Sequence, residues 1–159
     1  VDPTPHDIAV VLAALPLDAL QLYAEAAQVA ALRARFGLPC WQALGVARPT
    51  DLPLFAEGID RLVIEAKPPE GAARPGGNAT PIDWRLTRRW RAPVPWMLAG
   101  GLDPGNVATA IATSGATGVD VSSGVESAPG RKDPALIRAF IAAARAATPS
   151  PAGGTTTAE

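Results

Sequence analysis

The chain has 159 residues, enough for one domain with a real core and too few for two comfortable ones. Apolar residues make up 48% and charged residues 18%, with a net charge of −1, which excludes a disordered polyelectrolyte and gives no footprint for nucleic acid or a membrane surface. No apolar run reaches the roughly 18 residues of a membrane span, no signal-peptide pattern opens the chain, and a single cysteine, Cys40, excludes an internal disulfide framework. The expectation is a cytoplasmic protein.

The opening "VDPTPHDI" starts on Val1 and reads as a strand end running into a helix start. Thr4 is a good N-cap, Pro5 suits the first helical position, and Asp7 completes a capping-box spacing. Ile8, Val11, Leu12 and Leu15 then recur at helical intervals, which predicts one buried face, and Pro16 ends the helix. "LDALQLY" (17–23) predicts a strand, and a helix over 25–36 closes at Gly37. "CWQALGV" (40–46) is the next strand, "TDLPLFAEG" gives a short helix ending near Gly58, and "RLVIEA" (61–66) is a strand again. A Pro/Gly-rich loop, "KPPEGAARPGGNATP", leads to a brief helix over 83–90. Then come the strand "VPWML" (94–98), a helix over 104–113, the strand "GVDVS" (118–122), and a helix from Asp133-Pro134 to about residue 147. Residues 1–147 therefore form the domain, and the low-complexity remainder, 148–159, is expected to be a disordered tail.

Strands alternating with helices predict an α/β protein whose parallel strands are joined by helical crossovers. Several strands are almost continuously apolar, as when both faces are buried. A doubly wound open sheet and a (β/α)8 barrel both satisfy the alternation. The units are too few for a closed barrel, which needs about 200 residues, so a barrel here is an incomplete one.

Two strand ends carry small residues in series. Ala99-Gly100-Gly101 precedes "LDPGN", and Ser122-Ser123-Gly124-Val125 follows "GVDV". One such turn needs no more than a sharp change of chain direction. Two in successive units suggest a phosphate cradle, in which backbone N–H groups near helix N-termini meet an anion. Neither has the Walker pattern or G-x-G-x-x-G, so a nucleotide site is not indicated.

"LDALQLY", "WQALGV", "LVIEAKPP", "RPGGN", "IDW", "PWMLAGGLDPGNVATAI" and "GVDVSSGVES.PGRKD" follow one another in an order that resembles the phosphoribosylanthranilate isomerase family of tryptophan biosynthesis. The resemblance implies a partial (β/α)8 barrel, running from the end of the third strand through the eighth helix, in an N-terminally truncated chain. It implies an intramolecular oxidoreductase of the aldose-ketose isomerase type that works without metal or cofactor. Its substrate is a phosphorylated small molecule, with no nucleic-acid or membrane partner. The phosphate-binding positions carried over are Gly100, Gly101, Ser122, Ser123 and Gly124.

The family reaction is an Amadori rearrangement of N-(5′-phosphoribosyl)anthranilate. A general acid protonates the ribose ring oxygen, and a general base then removes the C2′ proton. The acid, an aspartate ending a strand in the family, corresponds here to Glu65, at a strand end where an apolar setting favours a raised pKa. The family base is a cysteine ending the first strand, which the resemblance puts before Val1. Cys40, at the start of its strand, reads instead as a buried structural residue. The chain departs further from the family pattern at Tyr23-Ala24, where His-Gly is usual, at Gln42 in place of lysine, and in "GGNAT". Asp83 reads as a helix cap, His6 as a solvated residue, and Trp41, Trp84, Trp90 and Trp96 as packing residues. The leading expectation is thus a phosphoribosylanthranilate isomerase sequence that is inactive as an isolated chain. The alternative is a non-catalytic, phosphate-binding barrel fragment that self-associates through exposed edges.

Overall fold

The computed structural model describes residues 3–67 and 82–147. The loop after Lys67 and the tail from residue 148 lie outside the described residues. Helix α1 (Pro5–Ala14) starts at the expected capping box, with the Thr4 hydroxyl accepting from the Asp7 amide and the Asp7 carboxylate accepting from Thr4 N at 2.9 Å. Its apolar face is narrower than the pattern predicts. Ile8 is buried and Leu12 packs on the core, but Val11 and Leu15 remain 44% and 55% exposed.

Strand β1 (Leu20–Leu22) leads to helix α2 (Ala26–Phe36), which closes on Gly37 in the left-handed conformation with Gly37 N bonded to Arg33 O. Strands β2 (Cys40–Val46) and β3 (Arg61–Ala66) occupy the predicted spans. Between them the predicted short helix shrinks to one 3-10 turn, Pro49–Asp51, because Pro53 holds Leu52 extended. The predicted helix near 83–90 is likewise a 3-10 turn, Trp84–Thr87, with Asp83 accepting from Arg85 N as its cap. Strand β4 (Trp96–Leu98) begins only after Pro95, which has no N–H to give the ladder. Helix α3 (Val107–Ser114) follows. The predicted last strand is reduced to a parallel bridge, Leu98 to Val119, since its short neighbour offers little to pair with. A small hairpin, β5 (Glu126–Ala128) and β6 (Arg131–Lys132), was not anticipated. It leads into α4 (Pro134–Ala146), capped by the Asp133 carboxylate on Ala135 N and Leu136 N.

The sheet is parallel throughout, in the order β1-β2-β3-β4. Alternation along its strands builds two faces. Leu20, Leu22, Cys40, Val46, Leu62, Ile64 and Leu98 join the helical residues Val29, Leu32, Val107, Ile111 and Phe140 in the main core. Ala43, Val63 and Ala99 form a smaller cluster on the other face, with Tyr23 and Trp41 against it. At the strand starts, Asp60 ties α2 to the sheet. It accepts from Arg33 Nε and Nη2 at 2.7 and 3.0 Å and from Cys40 N at 2.9 Å. The tryptophans pack as expected: Trp90 and Trp96 meet edge to face at 5.4 Å, and Arg61 lies over Trp41 at 4.8 Å.

Two outcomes follow. Leu62 is fully buried between strands and helices, so Leu62→Ala should lower stability by about 2–5 kcal/mol in urea unfolding. The Arg33 guanidinium and the Cys40 amide hold the Asp60 carboxyl below its ordinary value of 3.8, so the stabilisation is complete above that value and is lost as pH falls through the lower folded-state value. With Arg33 and Asp60 side chains 47% and 31% exposed, the pair contributes no more than about 1 kcal/mol. Asp60→Asn should be less stable by that amount near neutral pH, with the gap closing in acid.

Candidate active site at the strand ends

The C-terminal ends of the parallel strands surround a cavity of about 100 Å³. Its lining includes Tyr23 after β1, Glu65 at the end of β3, the Ala99–Leu102 turn after β4 and the 120–124 segment. All six residues singled out in the sequence, Glu65, Gly100, Gly101, Ser122, Ser123 and Gly124, meet here.

Glu65 is there by register. It lies two residues beyond Val63 on the same face of β3, opposite Gly45 of β2, and is only 5% exposed. Cys40 sits five residues before Gly45 on β2, so it faces the other side of the sheet. It lies about 16 Å away along the strand at ~3.3 Å per residue. It is fully buried, with Sγ toward Leu38 O, and burial pushes its thiol pKa up. It is a structural cysteine.

The two glycine turns differ in what they require. Gly100 and Gly101 both have positive φ, 84° and 65°, which side chains resist. The turn is fastened by Asn106, whose amide donates to Gly101 O at 2.8 Å while its oxygen accepts from Asp103 N at 2.9 Å. At Gly124 the constraint is proximity: a Cβ there would overlap the Leu102 carbonyl. The two turns therefore lie backbone against backbone. Lys132 of β6 secures the second turn, donating to Ser122 O at 2.9 Å, Ser122 Oγ at 3.0 Å and Glu126 Oε1 at 2.7 Å.

Sequence reasoning did not place three contributors. Tyr23, a departure from the family pattern in the sequence, lines the cavity together with Glu65. Asp120 also lines the cavity, and its signal was available, because it alternates with Ser122 after a strand. Lys132 had no local signal, since its role depends on a hairpin folding back. Asp83 and His6 lie outside the cavity lining, and His6 is exposed in the first turn of α1. Among the described residues, no group of three His, Cys, Asp or Glu side chains could hold a metal ion, and no helix is long and apolar enough to cross a membrane.

Parallel strands with a small polar cavity at their C-terminal ends define part of a (β/α) barrel, with the cavity at the end where such barrels carry their sites. Residues 1–143 match the family described as N-(5′-phosphoribosyl)anthranilate (PRA) isomerase. An N-(5′-phosphoribosyl)anthranilate isomerase from Acidiphilium cryptum is 59% identical over 147 residues, 92% of this chain and 72% of the relative. The phosphoribosyl anthranilate isomerase structure from Thermotoga maritima superposes with a TM-score of 0.71 at 32% identity, covering 91% of this chain and 70% of that one. Another isomerase structure, at TM-score 0.66 and 28% identity over 90% of this chain and 67% of that one, holds reduced 1-(o-carboxyphenylamino)-1-deoxyribulose 5-phosphate. The chain belongs to the phosphoribosylanthranilate isomerase family, the isomerases of tryptophan biosynthesis.

The Gly124 contact gives a direct test. Gly124→Ala should push the Ser122–Val125 segment off Leu102 and cost about 1–3 kcal/mol. Amide NMR shifts at Leu102, Ser123 and Val125 should move together. Unchanged shifts would mean that the turns are not in backbone contact.

Proposed function

We propose that this chain provides the phosphate cradle and the general acid for the Amadori rearrangement of N-(5′-phosphoribosyl)anthranilate. The observation that carries the reading is the convergence of Glu65 with Gly100, Gly101, Ser122, Ser123 and Gly124 on one cavity. The substrate phosphate sits against the two turns, where backbone N–H groups meet it without intervening side chains. That anchor fixes the ribose over the strand ends.

The protonated Glu65 carboxyl gives its proton to the ring oxygen. The C1′–O bond breaks, and the anthranilate nitrogen lone pair forms the C1′=N bond of a protonated Schiff base. A base on the opposite side of the sugar then takes the C2′ proton, and the C–H electron pair gives the enolamine. Shifting the enol proton to C1′ completes the ketose, with no net gain or loss of atoms or electrons. Cys40 does not serve as that base, because it is buried on the other face of the sheet. The family's base position, a cysteine ending the first strand, is the one the reading assigns to this step.

The test is turnover of freshly made phosphoribosylanthranilate, followed by loss of its fluorescence, together with binding of the reduced product analogue. Saturable analogue binding is expected, weakened at least tenfold by Gly101→Val, and any turnover should be abolished by Glu65→Ala. Binding without turnover would support the cradle and favour the non-catalytic alternative for the isolated chain. Failure to bind the analogue would overturn the proposal.

A further inference from the structure

Tyr23 and Glu65 line one cavity, and Gln42 braces the turn that carries Tyr23. Leu22 and Gln42 are register partners across β1 and β2, and Gln42 Nε2 donates to Ala24 O at 2.9 Å. Gln42 is buried, so this bond fixes the backbone of the turn that carries Tyr23. The Tyr23 ring packs on the cluster of Ala43, Val63 and Ala99, which directs the side chain along the cavity face of the sheet. From there it shares the cavity with Glu65, which lines the same wall two residues beyond Val63.

The chemistry gives this proximity a purpose. A glutamate side chain has one torsion more than an aspartate, and that freedom lets the carboxyl wander. A misplacement of about 1 Å can cost on the order of a hundredfold in rate. A hydroxyl held by packing removes that freedom. As the acid releases its proton it becomes a carboxylate, and an O–H donor stabilises that charge more than it stabilises the neutral acid.

We infer that Tyr23 is a positioning residue for Glu65, held in place by Gln42. The inference rests on the reading of Glu65 as the general acid. The groups whose charge reaches Tyr23 are Glu65 and, less strongly, Asp120, and burial beside the Glu65 carboxylate raises the phenol well above its ordinary value of 10.0. In consequence the hydroxyl remains a donor throughout the neutral range.

Tyr23 is the single tyrosine of the chain, so phenolate absorbance in the ultraviolet reports this one group. The full chain is titrated as wild type, Glu65→Gln, Glu65→Asp and Asp120→Asn. Glu65→Gln should lower the Tyr23 midpoint by about one unit or more, toward the ordinary range. Glu65→Asp keeps the charge but withdraws the carboxyl, so it should lower the midpoint as well, and Asp120→Asn should lower it less. A wild-type midpoint in Glu65→Asp would show that Tyr23 senses charge alone and would overturn the inference. In turnover, Tyr23→Phe keeps the ring and should reduce kcat about 10- to 100-fold at unchanged KM. If Glu65→Gln leaves turnover intact, the acid assignment fails and the positioning role with it. If Glu65→Gln abolishes turnover while Tyr23→Phe leaves kcat unchanged, the acid stands and the inference alone fails.

Discussion

The register between β2 and β3 is the constraint from which the rest of the structure follows. Six consecutive Cα partners, from Trp41 with Arg61 to Val46 with Ala66, lock the two longest strands together. Because side chains alternate across a sheet, this one choice decides what each residue can do. Leu62 and Ile64 go to the helices, while Val63 and Glu65 go to the cavity face. A slip of one residue would bury the carboxyl among leucines and turn the apolar core to solvent. The same parity removes Cys40 from the chemistry.

The opposite end of the sheet is fastened by polar contacts of a different kind. Asp60 holds α2, the start of β2 and the entry to β3 together, far from the cavity. This follows the division seen in parallel α/β folds, with stability at the strand starts and ligand contact at the strand ends. Neither Cys40 nor Asp60 lines the cavity, yet both belong to the frame that holds Glu65 in place.

At the strand ends, the cavity wall is an assembly of loops rather than a motif. Asn106 fastens one turn, Lys132 the other, and Gly124 lets them touch. Glycine therefore serves two distinct physical ends. At Gly100 and Gly101 it permits positive φ, and at Gly124 it permits contact between two backbones. Beside Glu65, a third set of contacts runs from Gln42 to the turn that carries Tyr23.

Local sequence encodes the strand–helix alternation, the spans of β2 and β3, the caps at Thr4, Gly37 and Asp133, and the two small-residue turns. These are local matters of capping geometry, side-chain periodicity and backbone freedom, which a short stretch encodes. Tertiary structure alone decided the rest. The predicted strand over 118–122 became a single bridge because its partner β4 is short, and Val11 and Leu15 stayed exposed because the core reaches only part of α1. Tyr23 and Asp120 met at the cavity because strand ends distant in sequence lie side by side, and Lys132 reached Ser122 because the β5–β6 hairpin folds back. Such contacts depend on register and loop closure, and neither is a property of any one segment of the chain.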